Sequence, residues 1–191
     1  MNKNYRIERR RVFLFQDLPE GLMRSSEHLQ FFDNYLQNTR LRIRSIRSPK
    51  TKQWSYVLEQ RIQINENDFS VWYVNEMQLD EAEHSIFEQF EELEIEVNGQ
   101  KRTNELRFNR YFYKFNDKQI ELDIFLRPLW GLNLAKVFFE SEDEMRAFRK
   151  PDFLLLEVTQ MPFFLGKNLV GKTLEDVKEY LQSISESVEC L

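Results

Sequence analysis

A chain of 191 residues with a net charge of −5 is long enough for a hydrophobic core and too acidic to favour general nucleic-acid binding. Hydrophobic residues make up 41% and charged residues 31%, which excludes an intrinsically disordered chain. The single cysteine, Cys190, excludes an intrachain disulfide framework. Apolar runs such as Val12 to Phe15 are too short for a signal-peptide core or a membrane span, so we predict a cytoplasmic protein with no membrane partner.

Charge is distributed unevenly along the chain. Residues 1–52 contain 12 Lys and Arg residues against 5 Asp and Glu residues. Residues 76–96 contain nine acidic residues and no Lys or Arg. The first segment is therefore suited to binding an anion, and the second is typical of a solvent-exposed helix face.

The spacing of apolar residues predicts strands and two helices in the first half of the chain. A helix is predicted over residues 20–38. A second, acidic helix is predicted over residues 79–95, with Ile86, Phe90 and Leu93 on its apolar stripe. Strands are predicted over residues 5–16, 39–47, 54–64 and 69–77.

The second half continues with strands joined by turns and ends in a helix. Asn98-Gly99 and Asn116-Asp117 are predicted as turns. Thr173 is predicted to cap the last helix, with Asp176 three residues further on. Further strands are predicted over residues 105–115, 119–126, 134–139 and 153–159, and a short helix over residues 141–148.

These elements predict an α+β fold dominated by about eight strands. Because most neighbouring strands are joined by short turns, the sheet should be antiparallel. Closing the sheet would remove its exposed edges. We therefore predict a closed or strongly curved antiparallel β-tunnel of eight strands with helices packed outside.

Three arginines alternate with apolar residues in one predicted strand. Arg40, Arg42 and Arg44 should lie on one face, and Leu41 and Ile43 on the other. The ordinary interpretation is an exposed basic face on an edge strand. Other strands repeat the pattern, however, so the charges are also expected to share the inside of a tunnel.

The repeated pattern involves the first strand and two later strands. Arg6, Glu8 and Arg10 share a face of the first strand, and Arg110 and Asp123 lie in alternating strands further on. A charged interior is costly unless it holds a ligand of opposite charge, and arginine forks suit phosphate oxygens. An empty basic interior would be self-repelling, which argues against a pure protein-interaction module.

Several short motifs occur in a fixed order. The chain carries Tyr5-Arg6-Ile7-Glu8-Arg9-Arg10, Leu41-Arg42-Ile43-Arg44, Arg110-Tyr111, Leu122-Asp123-Ile124-Phe125, Gly131-Leu132 with Leu134-Ala135, Pro151 and Glu157-Val158-Thr159. This ordered set resembles the CYTH superfamily, the triphosphate tunnel enzymes that include class IV adenylate cyclases and thiamine triphosphatases. The resemblance covers residues 5–170 of a predicted single domain over 1–191, in which 171–191 form a C-terminal helix and tail.

The resemblance implies a tunnel that binds an organic or inorganic triphosphate. The predicted phosphate-binding residues in this tunnel are Arg6, Arg10, Arg42, Arg44, Arg110 and Lys136. The resemblance also implies weakly bound Mg²⁺ or Mn²⁺, with Glu8, Glu76, Asp123 and Glu157 as the ligands. The partner is then a small triphosphate rather than a nucleic acid, and the oligomeric state is left open.

The chain departs from the family pattern at several acidic positions. The first family glutamate is Arg6 here, and a later glutamate pair is Lys136 and Phe138. One of the middle glutamates is Val74, and a family lysine falls near Glu59. These changes add positive charge and remove metal ligands, so catalysis is expected to be weak, altered or lost.

Three functions remain open on the sequence alone. The first is a triphosphate-binding protein with weak or lost hydrolysis. The second is an active metal-dependent triphosphatase or adenylate cyclase on the same fold. The third is a protein-interaction module that kept the fold and lost the ligand.

Overall fold

Eight antiparallel strands close into a barrel in the computed structural model, which describes residues 5–91, 94–97 and 99–189. The barrel order is β10-β9-β8-β2-β3-β4-β5-β1, and pairing of β10 with β1 closes it. The strands are β1 (Arg6–Phe15), β2 (Leu29–Tyr35), β3 (Leu41–Arg47), β4 (Trp54–Asn65), β5 (Asp68–Leu79), β8 (Glu105–Phe115), β9 (Lys118–Phe125) and β10 (Asn133–Phe139). The predicted antiparallel tunnel is confirmed.

The remaining elements lie at the edges of the barrel or connect its strands. The short strand β11 (Leu154–Glu157) pairs with β1, and β6 (Glu94–Val97) pairs with β7 (Gln100–Thr103). The helices are α1 (Glu81–Glu88), α2 (Glu142–Ala147), α3 (Gly166–Leu169) and α4 (Leu174–Glu189), with a 3₁₀ turn at Pro162–Phe164. In the part of the chain that the structure describes, no helix combines the length and apolar character needed to cross a membrane.

The outer faces of β9 and β10 carry a hydrophobic cluster, as the alternating pattern predicts. Ile120, Leu122 and Ile124 pack with Ala135 and Val137 in this cluster. Side chains from α2 and the segment after it pack against the cluster, including Met145, Phe148 and Phe153. Because successive residues of a strand face opposite sides, this outward packing directs the intervening charged residues into the tunnel.

A second hydrophobic cluster closes part of the tunnel interior. Phe31 and Phe108 stack with ring centroids 5.1 Å apart. Phe164, Leu169 and Val177 from the C-terminal segment belong to the same cluster. The C-terminal segment therefore packs against inward-facing residues of the strands.

The helix predicted over residues 20–38 is wrong. Residues 29–35 form β2, with Phe31 and Asp33 buried. Apolar and aromatic residues stand close together on both faces of this strand, so the spacing fits either structure. Pairing with β3 and β8 decides in favour of the strand.

The acidic helix is shorter than the predicted range of residues 79–95. It ends at Glu88, and Ile86 and Phe90, which were placed on its apolar stripe, are exposed. Leu93 of that stripe, Asn98 of the predicted turn and Cys190 lie outside the described residues. The predicted cap at Thr173 is confirmed. Its hydroxyl accepts a hydrogen bond from the backbone N–H of Asp176, and α4 begins at the next residue, Leu174.

Candidate anion site in the tunnel

A cavity of about 460 Å³ lies at one end of the tunnel. Four strands of the barrel contribute basic side chains to its lining: Arg10 from β1, Arg42 from β3, Arg61 from β4 and Lys136 from β10. The rest of the lining is largely apolar and includes residues of the C-terminal segment. The size lies within the range of small-molecule sites.

Arg42 lies between two buried carboxylates. Its Nη1 donates to Asp33 Oδ2 at 2.8 Å, and its Nη2 donates to Glu59 Oε1 at 2.6 Å. Arg44 donates to Asp33 through two further hydrogen bonds at 2.6 and 2.7 Å. Burial alone would raise the pKa of Asp33, but the two guanidinium groups hold that pKa below its usual value. The positive charge of Arg42 is therefore balanced by carboxylates inside the protein.

Arg61 also lies between two carboxylates. Its Nη1 and Nη2 donate to the two oxygens of Glu8 at 2.8 and 3.0 Å, and its Nε donates to Glu59 at 2.7 Å. Burial raises the pKa of Glu8, but Arg61 and Arg10 outweigh it and lower the pKa to about 2. Glu8 is therefore ionised at neutral pH.

Arg110, Asp123 and Lys136 form a third group. Arg110 donates to both oxygens of Asp123 at 2.6 and 2.8 Å, and Lys136 Nζ donates to Asp123 at 2.5 Å. Arg110 also contacts Glu121 at 2.6 Å. Burial, together with the charges of Arg110 and Arg10, lowers the pKa of Lys136 to about 8 although Asp123 opposes this shift.

Arg10 is the least compensated of these cations. Within the described residues its one ion pair is the contact of Nη1 with Glu8 at 3.5 Å, and Glu8 already accepts two hydrogen bonds from Arg61. The Arg10 Nε is buried and has no hydrogen-bond partner among the described residues. Burial lowers the pKa of Arg10 to about 10, and the nearby charge of Arg61 adds to the effect. Its guanidinium lies over the ring of Trp72, with 5.8 Å to the centroid.

The structure separates the six predicted phosphate-binding residues into three places. Arg10, Arg42 and Lys136 line the cavity. Arg44 and Arg110 do not line the cavity. Their guanidinium carbons lie over the ring of Phe31, at 4.8 and 4.5 Å from its centroid. Arg6 is exposed and contacts Glu76 at 3.5 Å, so the structure does not bring it into the cavity.

Carboxylates balance most of the positive charge inside the tunnel. Six cations are Arg10, Arg42, Arg44, Arg61, Arg110 and Lys136, and their ion-pair partners are the five carboxylates Glu8, Asp33, Glu59, Glu121 and Asp123. The expectation of a self-repelling empty interior is therefore wrong. Some pairs join residues in register on neighbouring strands, as Arg42 with Glu59 and Arg110 with Asp123. Others join residues two positions apart on one strand, or β1 with β4 across β5.

The four predicted metal ligands do not meet at one point. Glu8 and Asp123 belong to different ion-pair groups, and Glu76 pairs with the exposed Arg6. Glu157 pairs with Arg11 at 2.5 Å, apart from the tunnel groups. Within residues 5–91, 94–97 and 99–189, no three His, Cys, Asp or Glu side chains are arranged to hold a metal ion. This donor set does not fit Mg²⁺ or Mn²⁺, because the buried carboxylates are already engaged by cationic side chains.

Four further residues belong to the site and were not predicted as site residues from the sequence: Asp33, Tyr35, Glu59 and Arg61. Glu59 and Arg61 are two positions apart in β4 and therefore lie on one face of the strand. This spacing could have identified them as a charged pair inside the tunnel. Asp33 and Tyr35 were hidden by the incorrect helix prediction. The Tyr35 hydroxyl accepts a hydrogen bond from Arg42 at 3.0 Å, so it helps to hold that guanidinium in place.

Comparison with known proteins shows one partial sequence likeness and a shared fold. No protein-family model matches the chain. An inorganic triphosphatase of Acetivibrio thermocellus is 39% identical over 70 residues, which is 37% of this chain and 44% of that protein. The match thus spans less than half the length of this relative.

Two crystal structures of one protein share the fold. One, described as a hypothetical protein, has a TM-score of 0.56 and 23% identity and covers 87% of this chain and 99% of its own. The other, described as an inorganic triphosphatase, has a TM-score of 0.54 and 24% identity over 86% of this chain and 95% of its own. The closed antiparallel tunnel is thus the fold of these two structures, and the 70-residue match to an inorganic triphosphatase agrees with the resemblance drawn from the sequence motifs.

Proposed function

We propose that this protein binds a triphosphate in the tunnel cavity, with phosphate oxygens against Arg10 and Lys136. The observation that carries the proposal is Arg10, a buried guanidinium with an unpartnered Nε beside the cavity. A buried charge without a close partner is costly, and a bound anion would supply one. Guanidinium groups match phosphate oxygens through paired hydrogen bonds.

The second support is the neighbourhood of Lys136. Its ammonium lines the same cavity, and its pKa is lowered to about 8 by burial. A phosphate beside it would favour the charged form. Arg42 keeps short hydrogen bonds to Asp33 and Glu59, so we assign it a smaller share of the phosphate contacts.

Calorimetric titration tests the binding proposal. Inorganic triphosphate and ATP are expected to bind, and AMP is expected to bind much more weakly. Arg10→Gln should weaken triphosphate binding about 10- to 100-fold, which corresponds to the loss of hydrogen bonds to a charged group. The matched control is Arg9→Gln, because Arg9 donates to the backbone oxygen of Glu140 and does not line the cavity. Equal effects of both changes, or no triphosphate binding at all, would contradict the proposal.

We further propose that hydrolysis is weak or lost. Glu8 is contacted by three cationic side chains and Asp123 by two, which leaves both carboxylates poorly available to position a metal or a water molecule. An active triphosphatase is the second candidate, because the 70-residue match is to an inorganic triphosphatase. The interaction-module alternative stands if no triphosphate binds. The single domain over residues 1–191 and the cytoplasmic location remain predictions.

Phosphate release and cyclic-nucleotide formation, each measured with Mg²⁺ and with Mn²⁺, decide between the two candidates. Turnover well below about 1 s⁻¹ is expected for the binding protein. Turnover at or above about 1 s⁻¹ that disappears in Glu8→Gln would establish an enzyme instead.

A further inference from the structure

Arg61 holds two buried carboxylates together inside the tunnel. All three of its guanidinium nitrogens are used: Nε contacts Glu59, and Nη1 and Nη2 contact the two oxygens of Glu8. Glu8 and Glu59 are nearly inaccessible to solvent. They come from β1 and β4, 51 residues apart in the sequence, and the pairing of both strands with β5 brings them to the same guanidinium.

Two ionised carboxylates in a dry site need positive charge between them. Without it, their mutual repulsion and the cost of burial would force one of them to take up a proton. Proteins meet this need either with a cationic side chain or with a divalent cation bound by carboxylate oxygens. Arg61 meets it here, and Glu59 Oε2 remains buried without a hydrogen-bond partner in the described part of the chain.

We propose that the Arg61 guanidinium occupies the position of a divalent cation between Glu8 and Glu59, and that these two carboxylates form a latent divalent-cation site that opens when Arg61 is removed. This inference deepens the proposed function, because a tunnel that carries its own counter-cation binds a triphosphate without metal. Of this carboxylate pair, Glu8 is also one of the four metal ligands implied by the sequence resemblance, and Glu59 is not among them.

The surrounding charges limit the strength of the latent site. Arg42 contacts Glu59 at 2.6 Å, and Glu8 is contacted by Arg10 at 3.5 Å and by Arg6 at 3.7 Å. All three cations remain when Arg61 is removed, and all three repel a divalent cation. The opened site should therefore bind weakly, with a dissociation constant near that of the weaker oxygen-ligand sites, about 1 mM.

Titration with Mn²⁺ in the absence of any phosphate tests the inference. The free-ion signal in electron paramagnetic resonance reports how much Mn²⁺ is bound. The wild-type chain should bind no Mn²⁺ at about 1 mM, and Arg61→Ala should bind one ion per chain in this range. Adding Glu59→Gln to Arg61→Ala should abolish the gain. Arg61→Gln serves as a second variant if the alanine variant does not fold, as judged by circular dichroism.

Arg11→Ala is the matched control. It also removes an arginine that makes two hydrogen bonds to a carboxylate, Glu157, but no second carboxylate shares that guanidinium. This control should gain no Mn²⁺ site. Stoichiometric Mn²⁺ binding by the wild-type chain, or no gain in a folded Arg61 variant, would overturn the inference.

Triphosphate titration of the wild-type chain with EDTA and with Mg²⁺ completes the test. The two affinities should differ by less than about threefold, and a loss of about tenfold or more in EDTA would overturn the inference. If triphosphate binds under neither condition, the proposed function fails, and the phosphate-free Mn²⁺ titration still decides the role of Arg61. If neither Arg61 variant folds, the wild-type titrations with Mn²⁺ and with EDTA decide it.

Discussion

Gly166 packs directly against the hydroxyl group of Tyr35: a Cβ atom at this glycine would lie 1.9 Å from Tyr35 Oη. Tyr35 in turn accepts a hydrogen bond from Arg42, so the start of α3 is in contact with a residue that holds the basic lining of the cavity. The C-terminal segment and the arginine cluster are thus linked through one side chain.

This contact predicts the effect of Gly166→Ala. The added methyl group cannot fit without moving Tyr35 or α3, so the free energy of unfolding should fall by about 1–3 kcal/mol. Denaturant unfolding measures the loss. Lys167→Ala, at the exposed neighbouring position, should change stability by less than about 0.5 kcal/mol. In a Tyr35→Ala background the cost of Gly166→Ala should largely disappear, and a cost that persists there would show that the contact is not its cause.

Arg42→Ala should destabilise the protein severely. It leaves Asp33 with Arg44 alone and Glu59 with Arg61 alone, and breaking a buried pair typically costs about 3–5 kcal/mol. An unpaired basic tunnel would predict the opposite, because removing an arginine would then relieve repulsion. Lys50→Ala removes an exposed ion pair with Glu27 and should cost less than about 1 kcal/mol. Comparable unfolding midpoints for the two variants would contradict the paired arrangement.

The lowered pKa of Lys136 predicts that the free energy of unfolding rises with pH. Burial lowers its folded-state pKa to about 8 from 10.5, so between these values the unfolded chain binds more protons than the folded one. The free energy of unfolding therefore rises across this window, by at most about 1.4 kcal/mol per pH unit. Below about pH 8 Lys136 adds no pH dependence, because both states hold its proton. The free energy of unfolding of the wild type should rise relative to that of Lys136→Met in this window. Parallel pH profiles would show that Lys136 is not perturbed.

Glu157→Gln should leave triphosphate affinity unchanged within about threefold. Its carboxylate pairs with Arg11 and does not line the cavity, although the sequence resemblance assigns it to a metal site. The expected loss is in stability, about 1 kcal/mol, because the pair is partly exposed. Calorimetric titration and denaturant unfolding on the same preparation separate the two effects. A tenfold or greater loss of affinity, about 1.4 kcal/mol, would place Glu157 at the ligand after all.

The sequence alone determined the features that depend on neighbouring residues. Alternation in Leu122-Asp123-Ile124 predicted which side chains face outward, and the structure buries Leu122 and Ile124 in the outer cluster. The cap at Thr173 also follows from residues only three positions apart. Such local patterns survive folding because strand and helix geometry fix which face each residue occupies.

Only the tertiary structure decided how the charges are paired. Arg61 meets Glu8 across 53 positions of sequence, and Arg42 meets Glu59 across 17. These contacts depend on strand order and register, which are set by packing between distant segments rather than by local spacing. The same long-range packing made residues 29–35 a strand and brought Asp33 to Arg42 and Arg44. A row of arginines in the sequence therefore became a nearly neutral network, with Arg10 as its least compensated charge, because the barrel placed a carboxylate beside almost every other cation.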